Sequence, residues 1–189
     1  MPNEAEAHGL VALMELHASR ARARVDAAGA PILLLDQDRG RWDRLLIQRG
    51  LAALNRSESL ARPLGPYALQ AAIVACHARA RTASETDWHA IVALYDALFE
   101  LSGSPIVELN RAVAVGMAFG PAAGLELVEA LLDEPALRAY HLLPSVRADL
   151  LLKLDRPTEA RSEFERAAAL AQNSRERELL LERAKRCRG

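Results

Sequence analysis

Residues 148–167, ADLLLKLDRPTEARSEFERA, decide the fold, because they place small side chains where two helices would touch. Ala148 lies in one helical run, and Ala160, Phe164 and Ala167 follow it by 12, 16 and 19 residues. Two antiparallel helices approach closely only where small residues face each other, and the bulky residue one turn on fills the next groove. The stretch therefore predicts a helical hairpin.

The same offsets recur twice upstream, at Ala112, Gly124, Val128 and Leu131 and, for the last three positions, at Ile91, Tyr95 and Leu98. Spacings of 36 and 33 residues between these units lie close to the period of tetratricopeptide repeats. We therefore predict an all-α fold of tetratricopeptide-like helical hairpins stacked into a right-handed superhelix. Ala-rich hairpins of another kind are the alternative, because abundant Ala produces chance matches.

The composition favours a helical protein of the cytoplasm. Hydrophobic residues make up 51% of the 189 residues and are mostly Ala and Leu, whereas aromatic residues make up 4%. Ala and Leu favour helices, while aromatic and β-branched residues favour strands. The net charge is −1, no apolar run reaches spanning length, and Cys76 and Cys187 lie far apart. We therefore expect a cytoplasmic protein without membrane contact or a disulfide framework.

Helices are predicted at 4–22, 39–60, 66–81, 86–102, 105–117, 121–133, 138–154, 157–171 and 174–187. Residues 23–25 and 32–35 could pair as a short β-hairpin around a turn at 26–29. The proline-rich segment at 62–66 interrupts the helices. We therefore predict two subdomains, an N-terminal helical one at 1–62 and tetratricopeptide-like repeats at 63–189.

The most unusual stretch is DQDRGRWD at residues 36–43, which contains one of only two tryptophans. Its candidates for a binding surface are Asp36, Gln37, Asp38, Arg39, Arg41, Trp42 and Asp43. In one interpretation, Trp42 anchors a partner while Arg39 and Arg41 make charge-assisted hydrogen bonds. In the other, Trp42 covers the core and Asp38 caps a helix that begins near Arg39. Asp36 then pairs with an arginine.

Asn110 and Arg111 are a second candidate pair, because they lie mid-helix beside the apolar run at 112–115. If they are buried, both need hydrogen-bonding partners. One interpretation is a small-molecule or peptide site that also includes Tyr67, Trp88 and Tyr95. The other is an internal hydrogen-bonded pair between repeats.

No catalytic, metal or cofactor site is predicted, and we expect no enzyme activity. The histidines form no short ligand pair on one helix; they are His8, His17, His77, His89 and His141. In Asp36-x-Asp38-x-Gly40 the glycine comes one residue too early for a calcium loop, whose bidentate position would fall on Ile47. The sequence also contains no glycine-rich phosphate loop and no nucleophile elbow.

Two groups of basic residues are candidates for nucleic-acid binding: Arg20, Arg22, Arg24, Arg39, Arg41 and Arg44, and a tail of Arg183, Lys185, Arg186 and Arg188. Acidic residues lie in or beside both groups, so neither is a continuous basic stripe. We interpret both groups as solvated faces and expect no direct contact with nucleic acid.

Several motifs are specific in combination: DQDRGRWD at 36–43 with LIxxG at 46–50, PNEAEA at 2–7 with LVALM at 10–14, GPYxLQAAI at 65–73, TDW at 86–88, IVALYD at 91–96, PxVxLNRAVA at 105–114, YHLL at 140–143 and RADLL at 147–151. Together they resemble the C-terminal extension of a group of bacterial extracytoplasmic-function (ECF) sigma factors, in which a tetratricopeptide-like domain follows the promoter-recognising core. The resemblance covers essentially the whole chain.

The resemblance implies a regulatory domain that modulates sigma-dependent transcription through contacts with the sigma core or RNA polymerase. It also implies a genomic association with small YCII-like (DGPF) proteins, which are candidate partners. The promoter-recognising regions do not fit within this sequence, so we expect an excised extension or a standalone relative. The alternative function is the sensing of a small molecule or peptide by the helical repeats.

Overall fold

All regular secondary structure is helical in the computed structural model, which describes residues 4–27 and 29–187. The α-helices in these ranges are α1 Ala5–Ala18, α2 Arg44–Leu60, α3 Pro66–Arg79, α4 Trp88–Ser102, α5 Pro105–Ala118, α6 Pro121–Ala130, α7 Leu142–Lys153, α8 Pro157–Leu170 and α9 Ser174–Arg186. The predicted all-α fold is therefore confirmed. Within the described ranges, no helix is long and apolar enough to cross a membrane.

Proline fixes the start of four helices. α3, α5, α6 and α8 each begin with proline in the first turn, where the missing N–H group costs no intrahelical hydrogen bond. The sequence placed these starts correctly. It was wrong for α7, which begins at Leu142 and not near residue 138, because the preceding Pro135–Leu137 forms a separate 3-10 turn capped by the Glu134 side chain.

The chain divides into two compact units, at residues 1–102 and 103–189. In the first unit, α1 packs against α2 and α3, and α3 packs against α4. Two glycines permit the close approach of α1 to its neighbours. A Cβ atom on Gly50 of α2 would lie 2.7 Å from the Leu16 side chain, and one on Gly9 of α1 would lie 2.7 Å from the Ala68 backbone nitrogen.

The second unit contains two helical hairpins, α5–α6 and α7–α8, and α9 packs on α8. In the first hairpin, a Cβ atom on Gly124 would lie 2.7 Å from the carbonyl oxygen of Ala112. In the second, the four residues at the repeat offsets have no exposed surface: Ala148, Ala160, Phe164 and Ala167. The small and bulky positions therefore lie in the core of this unit, as their spacing predicts.

The predicted β-hairpin at 23–35 is reduced to one antiparallel bridge between Val25 and Pro31. Asp26 N–H donates to Ala30 O, and Ile32 N–H donates to Arg24 O. Pro31 has no N–H group to extend a ladder, and a 3-10 turn begins at Leu34, so no strand forms here. Of the predicted turn at 26–29, residue 28 lies outside the described residues.

The predicted subdomains, 1–62 and 63–189, divide the chain by sequence pattern, whereas the two compact units divide it by contacts. α3 and α4 belong to the first unit, with α1 and α2. The assignment of these two helices to the repeat array therefore stays a prediction.

Candidate functional site

The DQDRGRWD block forms a 3-10 turn and the cap of the following helix. The Asp38 side chain accepts a hydrogen bond from Gly40 N–H at 2.8 Å, at the start of the 3-10 turn Arg39–Arg41. The Asp43 side chain accepts from Leu45 N–H at 3.0 Å and from Leu46 N–H at 3.1 Å, and so caps α2. The predicted helix start near Arg39 was therefore wrong, because Asp43, rather than Asp38, caps the α-helix.

Arg39 is an internal anchor of the first unit. Its side chain is 7% exposed, and its Nη1 donates to His77 O at 2.7 Å and to Ala80 O at 2.8 Å. Its Nη2 donates to Thr86 Oγ1 at 3.0 Å. α3 ends at Arg79, so Arg39 satisfies carbonyl groups that have no partner inside that helix. Burial lowers the pKa of Arg39, and the Glu85 carboxylate opposes that shift.

Trp42 lies beside two buried guanidinium groups. Its residue surface is only 3% exposed, and the Arg39 and Arg20 guanidinium carbons lie over its ring, 5.2 and 5.7 Å from the centroid. Such cation–π contacts are strongest where water is excluded. The Trp42 Nε1 group is buried without a hydrogen-bond acceptor among the described residues. Trp42 therefore covers the core of the first unit, which is the position that the second interpretation of the block predicts.

Arg20 and His17 form the polar edge of this layer. Arg20 is 9% exposed, and its Nη2 donates to His17 Nδ1 at 2.9 Å. Burial, together with the positive charges of Arg24 and Arg39, lowers the pKa of Arg20 to about 10. Burial lowers the pKa of His17, and the positive charges of Arg20 and Arg24 lower it further. The His17 ring is therefore held neutral as an acceptor.

His77 adds a second neutral imidazole. Its residue surface is 7% exposed, and its ring lies edge-on to Trp88 with 5.2 Å between the centroids. Burial lowers the pKa of His77 to about 4, and the charges of Arg39 and Arg20 add to the shift. Its Nδ1 atom is buried with no hydrogen-bond partner among the described residues. Protonation of this ring is therefore disfavoured both by the loss of solvation on burial and by the positive charges of the two arginines.

The remaining residues of the block face solvent or the connection before it. Asp36 and Arg41 are exposed, and Gln37 Nε2 donates to Ile32 O at 3.1 Å. The predicted ion pair between Asp36 and an arginine is not found within the described part of the chain. The block therefore has a buried half, Arg39 and Trp42, and an exposed half.

An open cleft of about 680 Å³ lies along the exposed half of the block. It is lined by Arg22, Gly40, Arg41, Trp42, Asp43, Arg44 and Leu45. The structure thus brings together most of the first basic group of the sequence: Arg20 and Arg39 are buried around Trp42, and Arg22, Arg41 and Arg44 line the cleft. The interpretation of that group as a solvated face was wrong for the two buried members. In the second group, Arg188 lies outside the described residues.

Asn110 and Arg111 differ in their surroundings. Asn110 is exposed, so it has no need of a buried partner. Arg111 is half-buried, and its Nη1 donates to Glu108 Oε1 at 3.0 Å, one turn earlier in α5. The other three residues proposed for a ligand site, Tyr67, Trp88 and Tyr95, belong to the first compact unit, whereas Asn110 and Arg111 belong to the second.

Across residues 4–27 and 29–187, no group of three or more His, Cys, Asp or Glu is arranged to hold a metal ion. Cys76 and Cys187 are free thiols. Sequence reasoning missed the roles of Arg20, His17 and His77. The only available signal was the alternation of arginines at 20–24 and 39–44, because the contacts that bury these side chains join distant parts of the chain.

Comparison with known proteins gives similarity without an activity. Residues 1–58, which include α1, the DQDRGRWD block and most of α2, match a protein family of unknown function, DUF6596. More specifically, the chain is similar to an uncharacterized protein of Rhizobium meliloti (strain 1021), with 50% identity over 175 residues. The aligned part covers 93% of this chain and 41% of the length of that relative. No solved structure matches the chain.

Proposed function

We propose that this chain is a regulatory protein-interaction domain of an ECF sigma factor, which modulates transcription initiation by contacting the sigma core or RNA polymerase. The resemblance of motifs along the whole chain supports this function. The coarser findings are compatible with it: the regular secondary structure of the described residues is helical, and the DUF6596 match covers the segment that contains the DQDRGRWD block. The partners, the cytoplasmic location and an association with YCII-like proteins are parts of the same proposal.

The finer fold belongs to the proposal as well. We infer that the hairpins α5–α6 and α7–α8 are tetratricopeptide-like repeats of a right-handed superhelix. Two observations support this assignment. Gly124 lies close to Ala112 in the first hairpin, and Ala148 and Ala160 are fully buried in the second. Such arrays present concave surfaces to partner proteins rather than catalytic groups.

The observation that best supports the proposed function is the division of the DQDRGRWD block into a buried half and an exposed half. Arg39 is buried and makes its side-chain hydrogen bonds inside the protein, and Trp42 is buried beside it, whereas Asp36 and Arg41 are exposed. A charged residue that is held next to a rigid, buried anchor is suited to contact a partner, since its backbone is already fixed before binding. The block is therefore both a structural anchor and an interaction surface.

The test separates these two roles by substituting Asp38 and Arg41 singly and comparing thermal stability with sigma-dependent transcription in vitro. We expect Arg41→Ala to lower transcription and binding to the purified sigma core without lowering the melting temperature. Arg39→Ala, in contrast, should lower both. The proposal fails if the Asp38 and Arg41 variants lose activity only in step with lost stability.

The sensing of a small molecule has weaker support. Its premise was a buried Asn110–Arg111 pair, and Asn110 is exposed while Arg111 pairs with Glu108. A thermal-shift screen of metabolites tests this function. A ligand that raises the melting temperature of the native chain, but not that of an Arg111→Ala variant, would support small-molecule sensing.

A further inference from the structure

The cleft beside the DQDRGRWD block carries an excess of positive charge. Its wall contains three arginines, Arg22, Arg41 and Arg44, and one carboxylate, Asp43. The chain as a whole has a net charge of −1. The cleft is therefore a local positive patch on a nearly neutral protein, and such a patch raises the local concentration of anions.

Among the residues that the structure describes, no side chain or carbonyl group accepts a hydrogen bond from these three arginines. All of them are exposed, and none forms an ion pair or a side-chain hydrogen bond within the described residues. Of the neighbouring carboxylates, Asp38 accepts from Gly40 N–H and Asp43 accepts from the first turn of α2. The guanidinium groups of the cleft are therefore available to an anion from outside the chain.

The cleft wall is held in place before any ligand arrives. Trp42 is 3% exposed and contributes to the wall, and its neighbour Arg39 is fixed by acceptors on α3 and on Thr86. A wall that is already ordered reduces the entropy cost of binding. Arg20, buried over the same indole, adds positive potential behind the wall.

We propose that this cleft binds an acidic segment of a protein partner, whose carboxylates pair with Arg22, Arg41 and Arg44. This inference rests on the proposed function and specifies the chemistry of its partner. Guanidinium groups match carboxylates with two parallel hydrogen bonds. Leu45, which also lines the cleft and is 62% exposed, provides an apolar contact beside the charges.

A peptide segment fits this surface better than nucleic acid does. A phosphate backbone needs a continuous run of cations, and here Asp36, Asp38 and Asp43 lie among the arginines of the block. An acidic segment with one apolar side chain can place its carboxylates on the arginines and that side chain on Leu45. The partner we infer is therefore a protein segment rich in Asp and Glu.

The experiment titrates the full chain into a short fluorescein-labelled peptide of Asp and Glu around one central Leu, and follows fluorescence anisotropy. An otherwise identical peptide of Asn and Gln, and a single-stranded DNA oligonucleotide of equal charge, are the comparison probes. The variants are Arg41→Gln with Arg44→Gln, and Arg56→Gln as the control. Arg56 is exposed on the same helix but does not line the cleft.

We expect the acidic peptide to bind, and the double variant to weaken its affinity about tenfold while the Arg56→Gln control keeps it. The weakening should shrink at high salt, because the contacts are exposed charge pairs. The inference is overturned if the double variant binds as well as the native chain, or if the Asn and Gln peptide binds equally. Tighter binding of the DNA through the same arginines would also overturn it.

A parallel measurement with purified sigma core keeps the two proposals distinguishable. If the sigma core binds the native chain and the double variant equally, the acidic-segment inference fails while the proposed function stands. If the acidic peptide depends on Arg41 and Arg44 but neither the sigma core nor RNA polymerase binds the chain, the proposed function fails and the inference stands. Unchanged melting curves for the double variant exclude misfolding as the cause of any loss.

Discussion

The Arg39 guanidinium donates to the His77 carbonyl oxygen at 2.7 Å and so joins the DQDRGRWD block to the last turn of α3, 38 residues further along the chain. The same nitrogen donates to Ala80 O, and its partner nitrogen to Thr86 Oγ1. One side chain thus terminates a helix and ties down the connection to the next one. Because it does so beneath Trp42, the block keeps its shape while its charged half remains exposed.

Arg39→Ala should destabilise the first unit by about 2 to 4 kcal/mol, because buried carbonyl groups would lose a charged donor. Arg39→Lys should rescue only part of the loss, since an ammonium group cannot reach acceptors in a planar fork. Urea unfolding followed by tryptophan fluorescence is the measurement; Trp42 and Trp88 both lie in this unit.

Arg41→Ala is the matched control for Arg39, since the residue is exposed two positions further along the same turn. Its substitution should change the free energy of unfolding by less than about 0.5 kcal/mol. An equal loss of stability in both variants would contradict the division of the block into a buried and an exposed half.

The low pKa of His77 predicts a loss of stability in acid. The pKa of His77 is about 4 in the folded state, whereas a histidine in the unfolded chain keeps its ordinary value of 6.5. Between these values the unfolded state binds more protons, so the free energy of unfolding falls as the pH falls. Above about pH 6.5 the free energy of unfolding has its full value with respect to His77, because the ring is neutral in both states. By pH 4 this free energy has fallen by about 3 kcal/mol.

His77→Phe should remove this dependence while keeping an aromatic ring edge-on to Trp88. The measurement is the free energy of unfolding of the native chain and the variant at several pH values between 7 and 4. His89→Phe, at an exposed position of α4, is the control for the introduction of a phenyl ring. The effect of His17, whose pKa is also lowered, has the same sign and is common to all three proteins. Parallel curves for the native chain and His77→Phe would refute the assignment.

The sequence specified the helices well where local chemistry decides their ends. Pro105, Pro121 and Pro157 begin helices because proline suits the first turn, and the Ala148–Ala160 spacing predicted a buried seam. The start of α2 was ambiguous because Asp38 and Asp43 are both good caps. Gly40, a poor residue for a helix interior, favours the later start that the structure has.

The site was less predictable because its contacts are long-range. Arg39 bonds to residues 38 to 47 positions away, and no local pattern marks which arginine of the block is buried. The two buried arginines, Arg20 and Arg39, and the exposed Arg41 have the same residue type and similar neighbours in sequence. Only the packing of α1 and α3 around Trp42 distinguishes them.

Gly124 tests the close contact within the α5–α6 hairpin. A Cβ atom there would meet Ala112 O at 2.7 Å and Gly116 Cα at 2.8 Å. Gly124→Val should therefore destabilise the second unit by about 1 to 3 kcal/mol, although valine is a better helix former than glycine. Circular dichroism is the measurement, since both tryptophans lie in the other unit.

Ala122→Val, at an exposed position of the same helix, is the control for Gly124. It should cost less than about 0.7 kcal/mol, which is the difference in helix propensity alone. If both substitutions cost the same, the two helices do not approach at Gly124 as closely as the structure has them.

Glu6 caps a helix that begins 60 residues later in the chain. Its carboxylate accepts from Tyr67 N–H at 2.8 Å and from Ala68 N–H at 3.2 Å, in the first turn of α3, where Gly65 offers no capping side chain. Glu6→Ala should cost about 1 kcal/mol in the fluorescence-detected transition, because two helical N–H groups lose their acceptor. Glu6→Gln should cost less, since its amide oxygen still accepts while the favourable charge at the helix N-terminus is lost.

Glu4→Ala, at an exposed residue whose side chain makes no cap, should leave the transition unchanged within about 0.5 kcal/mol. Faster hydrogen exchange at the Tyr67 and Ala68 amides in Glu6→Ala alone would locate the effect at this cap, whereas equal exchange in all three variants would contradict it.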